Sequence, residues 1–124
     1  MEIEKVLTSD VVDLSSLKSF FASDKDSLIQ LITVYLSDTT PRTIVLEYSI
    51  TNVNYEDVRS ICHFLKSSLG LMGVKCLHEI ANLEKLAQAR EPESAIIEQL
   101  KLVIPILKNS TEEYKKILEK LKAL

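Results

Sequence analysis

The sequence predicts an all-α fold, an up-and-down four-helix bundle with a short additional N-terminal helix. Three observations carry this expectation. Only two glycines and three prolines occur in 124 residues, which suits long helices and few turns. β-Branched residues recur at helical spacing and do not alternate, so strand signals are weak. Four long amphipathic segments are joined by short connections, and an up-and-down bundle is the default packing for such a chain. Apolar residues make up 46% of the sequence, enough to fill that core, and no repeat or composition shift divides it. One domain over 1–124 is expected.

The elements follow in order. Residues 1–12 read as a leader, with the helical body over 13–122. Asp13 can cap a short first helix running through Ala22, with Leu14, Leu17, Phe20 and Phe21 on one side. Ser23, with Asp26 three residues on, opens the second helix, whose apolar stripe runs Leu28, Leu31, Ile32, Tyr35, Leu36. Pro41 lies inside that stripe and should kink it before it resumes at Ile44 and ends near Thr51. Thr51 to Asn54 is the break. Asn54 can cap the third helix, with Asp57 in its first turn, and Gly73 stops it. A fourth helix is expected from Val74 to Arg90. Glu91-Pro92 begins a fifth, with proline in its tolerated first turn, and Pro105 should bend that helix on its way to the C-terminus.

Composition excludes several function classes. Fifteen Lys and Arg against 18 Asp and Glu leave a net charge of -3, which argues against broad electrostatic capture of nucleic acid. Cys62 and Cys76 are too few for a disulfide framework and read as reduced and mostly buried. No apolar run approaches the roughly 18 residues that a membrane span needs, and the first ten residues lack the apolar stretch of a signal peptide. A cytoplasmic, monomeric protein without membrane insertion is the expectation.

The third helix carries the chemistry. At 100° per residue, Val58, Ile61, Cys62, Leu65, Leu69 and Met72 fall on one side, the core face. His63 points well away from it. Arg59, Lys66, Ser67 and Gly70 surround His63, four before and three, four and seven after, the spacings of surface neighbours on a helix. An exposed imidazole therefore lies among two cations, a hydroxyl and a bare patch of backbone. Glycine inside a helix costs about 1 kcal/mol relative to alanine, so an exposed Gly70 suggests room for close approach by another protein. Phe64 and Leu71 share a flank beside His63. Two assignments stand for them, core beneath the first helix or an apolar docking patch, and at least one is expected to be core.

A neutral imidazole is a good nucleophile near pH 7. Attack on an acyl phosphate needs in-line positioning and charge stabilisation more than covalent machinery, and Arg59 and Lys66 can share the charge that builds on phosphoryl oxygens.

The run from Cys62 to Gly73, C-H-F-L-K-S-S-L-G-L-M-G, resembles the signature of histidine-containing phosphotransfer (HPt) domains: a histidine, a lysine three later, small residues, and a glycine ten later. The likeness extends over most of the chain, through the second-helix region from Leu17 to Leu46 and the Leu83-Glu84 pair of the fourth helix. The resemblance implies that His63 accepts a phosphoryl group from the aspartate of a response-regulator receiver domain and passes it to another receiver, within a two-component phosphorelay. It implies that Lys66 steadies the phosphoryl group and that Gly73 closes the helix. Partners would be receiver domains and a hybrid sensor histidine kinase. The chain would be a phosphocarrier without ATP-dependent kinase activity. No cofactor is expected, and Mg²⁺ would belong to the receiver, because the chain offers no carboxylate cluster beside His63.

One position departs from the family. Ser67 stands where glycine is usual, and its hydroxyl should lean back towards His63, where it can bond the ring or the phosphoryl group or crowd a receiver. That departure motivates the alternative of a pseudo-HPt module that binds receivers without transfer. His78 reads as a solvated histidine on a polar face, beside Asn82 and Lys85. No metal site is expected, since Cys62 and His63 diverge by about 100° on their helix and the spacing to Cys76 and His78 matches no common zinc pattern.

Overall fold

The computed structural model describes residues 2–21 and 23–124. Among the described residues there are six helices and no strand. They are α1 (Glu2–Val6), α2 (Ser15–Phe21), α3 (Lys25–Thr51), α4 (Tyr55–Leu71), α5 (Leu77–Gln88) and α6 (Glu93–Lys122). α3 packs against α4 and α6, α5 packs against the same two, and α1 and α2 rest on α6 and α3. The shared core takes Leu28, Ile32 and Leu46 from α3, Leu65 and Leu69 from α4, Ile80 and Leu83 from α5, and Leu100 and Leu107 from α6, all fully buried. Each such side chain contributes about 1.5–3 kcal/mol on leaving water, which is why the periodicity of these segments decides the architecture.

The N-terminal residues depart from the expected leader. They hold α1, bury Leu7 completely and Val12 almost so, and Ser9 Oγ donates to the Glu113 carboxylate. The helix is too short to stand alone, and packing on α6 is what fixes it. On α2, Leu14 and Leu17 are buried as expected and Phe21 partly so, but Phe20 is 73% exposed. The expected end of that helix at Ala22 lies outside the described residues.

The cap of α3 falls on Asp24, one residue later than the expected Ser23: Ser27 donates its backbone N–H at 3.0 Å and its hydroxyl at 2.7 Å to the Asp24 carboxylate. A full negative charge at a helix N-terminus outcompetes a neighbouring hydroxyl. Pro41 and Pro105 both lie within uninterrupted helices. Each is exposed, as are Ser37 and Lys101 four residues before, so the carbonyls left without a donor face water.

The turn that ends α4 is a Schellman motif. Val74 N–H bonds Leu69 O at 3.0 Å and Gly73 N–H bonds Gly70 O at 3.3 Å, with Gly73 at φ +64°. A Cβ on Gly73 would lie 1.8 Å from Asp13 O, and Asp13 N–H donates back to Gly73 O at 2.9 Å. Glycine is therefore demanded twice, by dihedral and by contact. α5 begins at Leu77, later than the expected Val74, because Val74 and Cys76 are spent as buried anchors of this turn. It ends at Gln88 in a second Schellman turn with Arg90 at φ +52°, and Pro92 stands at the N-cap position just before α6, not in its first turn as expected, and makes no side-chain cap.

Candidate functional site

α4 displays the face that its spacing predicts. Asn54 caps it, accepting the Asp57 N–H at 3.0 Å, and Val58, Ile61, Cys62, Leu65 and Leu69 turn inward. The opposite face is thereby fixed outward, and the His63 side chain is 67% exposed. Lys66 is partly exposed beside it, and Ser67 and Gly70 are exposed.

The decisive neighbour of His63 comes from another helix. Glu84, on α5 and next to fully buried Leu83, sits at the rim of the core with only 13% of its side chain exposed. One of its oxygens, Oε2, lies 2.9 Å from His63 Nδ1, and the other, Oε1, lies 2.7 Å from Lys66 Nζ. The carboxylate is held below the usual range by the Lys66 ammonium and, after it, by His63, with burial opposing both. An ionised carboxylate only accepts hydrogen bonds, so the proton must sit on Nδ1 and the tautomer is set by the partner. Nε2 then carries the lone pair, and it has no hydrogen-bond partner among the described residues. The ring is thus gripped at one nitrogen and open at the other.

Arg59 does not reach the imidazole. It forms a two-pronged pair with Glu56, at 3.1 Å through Nε and 2.5 Å through Nη2, one turn back on α4. That pair holds the Glu56 carboxyl below its usual value. Both expected cations are therefore already bound to carboxylates, and the site is close to electrically balanced before any ligand arrives. Among the described residues Ser67 makes no hydrogen bond to the ring.

The apolar flank divides. Phe64 is 44% exposed and is not core: the Arg42 guanidinium of α3 lies 3.9 Å from its ring centroid, a cation–π contact that holds the ring at the surface. Leu71 is half-buried and lines a cleft between α3 and α4 with Leu31, Val34, Tyr35, Ser68 and Met72. On the other side of His63, a Cβ added to Gly70 would meet only Leu77 Cδ2 at 3.6 Å, an ordinary contact. Packing within the chain does not require this glycine.

The sequence marks Glu84 only within the Leu83-Glu84 pair of the family likeness, gives it no role at the site, and suggests no carboxylate cluster beside His63. The available signal was the position after a buried leucine on an amphipathic helix, where a charge stays near the core. Nothing in the spacing names its partner 21 residues earlier. His78 is exposed, as its polar face suggested. Cys62 and Cys76 are buried free thiols, and burial pushes each up to about 12. Among the described residues no group of three His, Cys, Asp or Glu side chains is placed to hold a metal ion, and no helix is long and apolar enough to cross a membrane. Comparisons with family models, with curated proteins and with solved structures find no match for this chain.

Proposed function

We propose that the chain is a histidine phosphotransfer protein, which takes a phosphoryl group on His63 Nε2 from a receiver-domain aspartate and hands it to another receiver. The observation that carries this reading is the ring itself, exposed on α4 with Nδ1 tied to Glu84 and Nε2 without a partner among the described residues. In the transfer, the Nε2 lone pair attacks phosphorus in line, the N–P bond forms, and the bond to the aspartyl oxygen breaks with its electron pair returning to the carboxylate. Nothing further is asked of this chain than positioning and charge. Lys66 is one side-chain swing from Glu84 to a phosphoryl oxygen, and Arg59 stands one turn away with Glu56 to release. Mg²⁺ belongs to the receiver, and the chain itself has no ATP-dependent kinase activity.

The helix contacts fit an up-and-down four-helix bundle of α3, α4, α5 and α6, each long helix touching two of the others, with α1 and α2 as additions. In this reading Phe64, Gly70 and Leu71 are where the receiver seats, and the protein acts in the cytoplasm as a monomer. Incubation with a receiver phosphorylated by acetyl phosphate should give this chain an acid-labile, base-stable label, and His63→Gln should abolish it. Label that persists in the variant would overturn the assignment. The exposed Ser67 supports one second reading, a receiver-binding module without transfer: stable receiver binding with no exchange, even in Ser67→Gly, would favour it.

A further inference from the structure

The carboxylate on His63 Nδ1 has a consequence for the phosphorylated state as well as for the resting one. Once Nε2 bonds phosphorus, the Nδ1 proton decides how the phosphoryl group leaves. With the proton in place, the N–P bond breaks to release a neutral imidazole. Without it, the departing group is an imidazolate anion, a far poorer leaving group.

The groups facing the ring are few. Glu84 reaches it from α5, at 2.9 Å. Lys66 stands beside it on α4, and Arg59 lies further along the same face with Glu56 bound to it. Cys62, next to it in sequence but on the core face of α4, is a buried, un-ionised thiol. α3 brings Arg42, which is engaged over Phe64. The cations disfavour a positive charge on the ring, but Lys66 and Arg59 are each held by a carboxylate. Among the described residues the one group bonded directly to the ring, Glu84, is negative. The sign therefore favours the protonated phosphohistidine.

We propose that Glu84 is a positioning residue that keeps Nδ1 protonated after phosphorylation, so that His63 remains a ready donor at a pH where an ordinary phosphohistidine has become inert. The proposal deepens the phosphotransfer reading and rests on it for its purpose, but the chemistry is testable without a receiver. The exposed His78 lacks an ion-pair or hydrogen-bond partner among the described residues and serves as a reference in the same chain.

Potassium phosphoramidate, a small-molecule donor that phosphorylates exposed histidines, should modify both rings. A ³¹P and ¹⁵N NMR titration then reads each ring proton, and the signal decay at mildly alkaline pH reads each lifetime. Phospho-His63 is expected to hold its proton about one pH unit higher than phospho-His78, and because one unit is a tenfold change in the protonated fraction, to lose its phosphoryl group up to about tenfold faster at mildly alkaline pH. In Glu84→Gln, whose amide oxygen can still accept from Nδ1, the offset should vanish or reverse, because Lys66 is then left without its carboxylate, while Glu84→Asp should restore part of it. Equal titration of the two rings in the unaltered chain would overturn the proposal, as would an offset that survives Glu84→Gln or a His63 that stays unmodified while His78 reacts. Such an outcome leaves the receiver experiment untouched: a chain that exchanges phosphoryl with receivers yet shows no offset fails here alone.

Discussion

Two polar networks of similar make-up sit in different parts of this molecule. Between α3 and α6, Ser110 Oγ donates to Leu107 O at 2.7 Å, so the Tyr35 hydroxyl must be the donor in its 2.6 Å bond to Ser110. The Tyr114 hydroxyl donates to Met72 O, and the two tyrosine rings meet edge to face at 5.3 Å. At the α4–α5 edge, Glu84 holds His63 and Lys66. In the first network each hydroxyl proton is spent and water is excluded. In the second, one ring nitrogen has a lone pair and an open approach. A polar group locks the fold when all its valences are used internally, and it does chemistry when one is left over at the surface.

The buried network should be the more costly one to disrupt. Tyr114→Ala removes a fully buried ring and the hydroxyl that closes the α4 turn, and it should cost about 3–5 kcal/mol in urea unfolding. A loss under 1 kcal/mol would mean that the network is ornamental.

Next comes pH, which should separate the two networks by sign. Burial pushes Tyr35 from 10.0 up to about 12, and Cys62 and Cys76 from 9.0 up to about 12, and it raises Tyr114 as well. The unfolded chain releases these protons first. Stability is therefore full below pH 9 and is expected to fall as pH rises from there through 12. Glu84 acts oppositely, because its folded value lies below the ordinary 4.5. Its contribution is present above that value and lost as pH falls through the lower, folded one. Urea midpoints measured across pH should show a steep alkaline loss and, from this pair, a slight acid one; a flat alkaline limb would contradict the burial of these groups.

The smallest expected effect sharpens the surface side. His63→Gln should change unfolding free energy by less than about 0.5 kcal/mol, because a 67% exposed side chain buries little. A substantial loss of stability would make the ring a structural element.

The same division explains what was legible in the sequence. Helices α3 to α6 follow from apolar spacing, and the turn after α4 follows from Gly73, because these are local rules. The capping position moved by one residue, from Ser23 to Asp24, where two competent caps stand side by side. Three features were hidden. The burial of Leu7 and Val12 depends on a surface supplied by α6, and the left-handed Arg90 fills a position that glycine usually marks. Glu84 belongs to the site only because α5 packs on α4. The orientation of His63 is a property of its own helix and could be read; its partner is a property of helix packing and could not.

The proposed reacting atom is Nε2 of His63. After phosphorylation by a receiver, ³¹P–¹⁵N correlation on the folded chain should place the phosphoryl group on Nε2 of His63 with Nδ1 still protonated. A phosphoryl group on Nδ1, on His78, or on no histidine would contradict it.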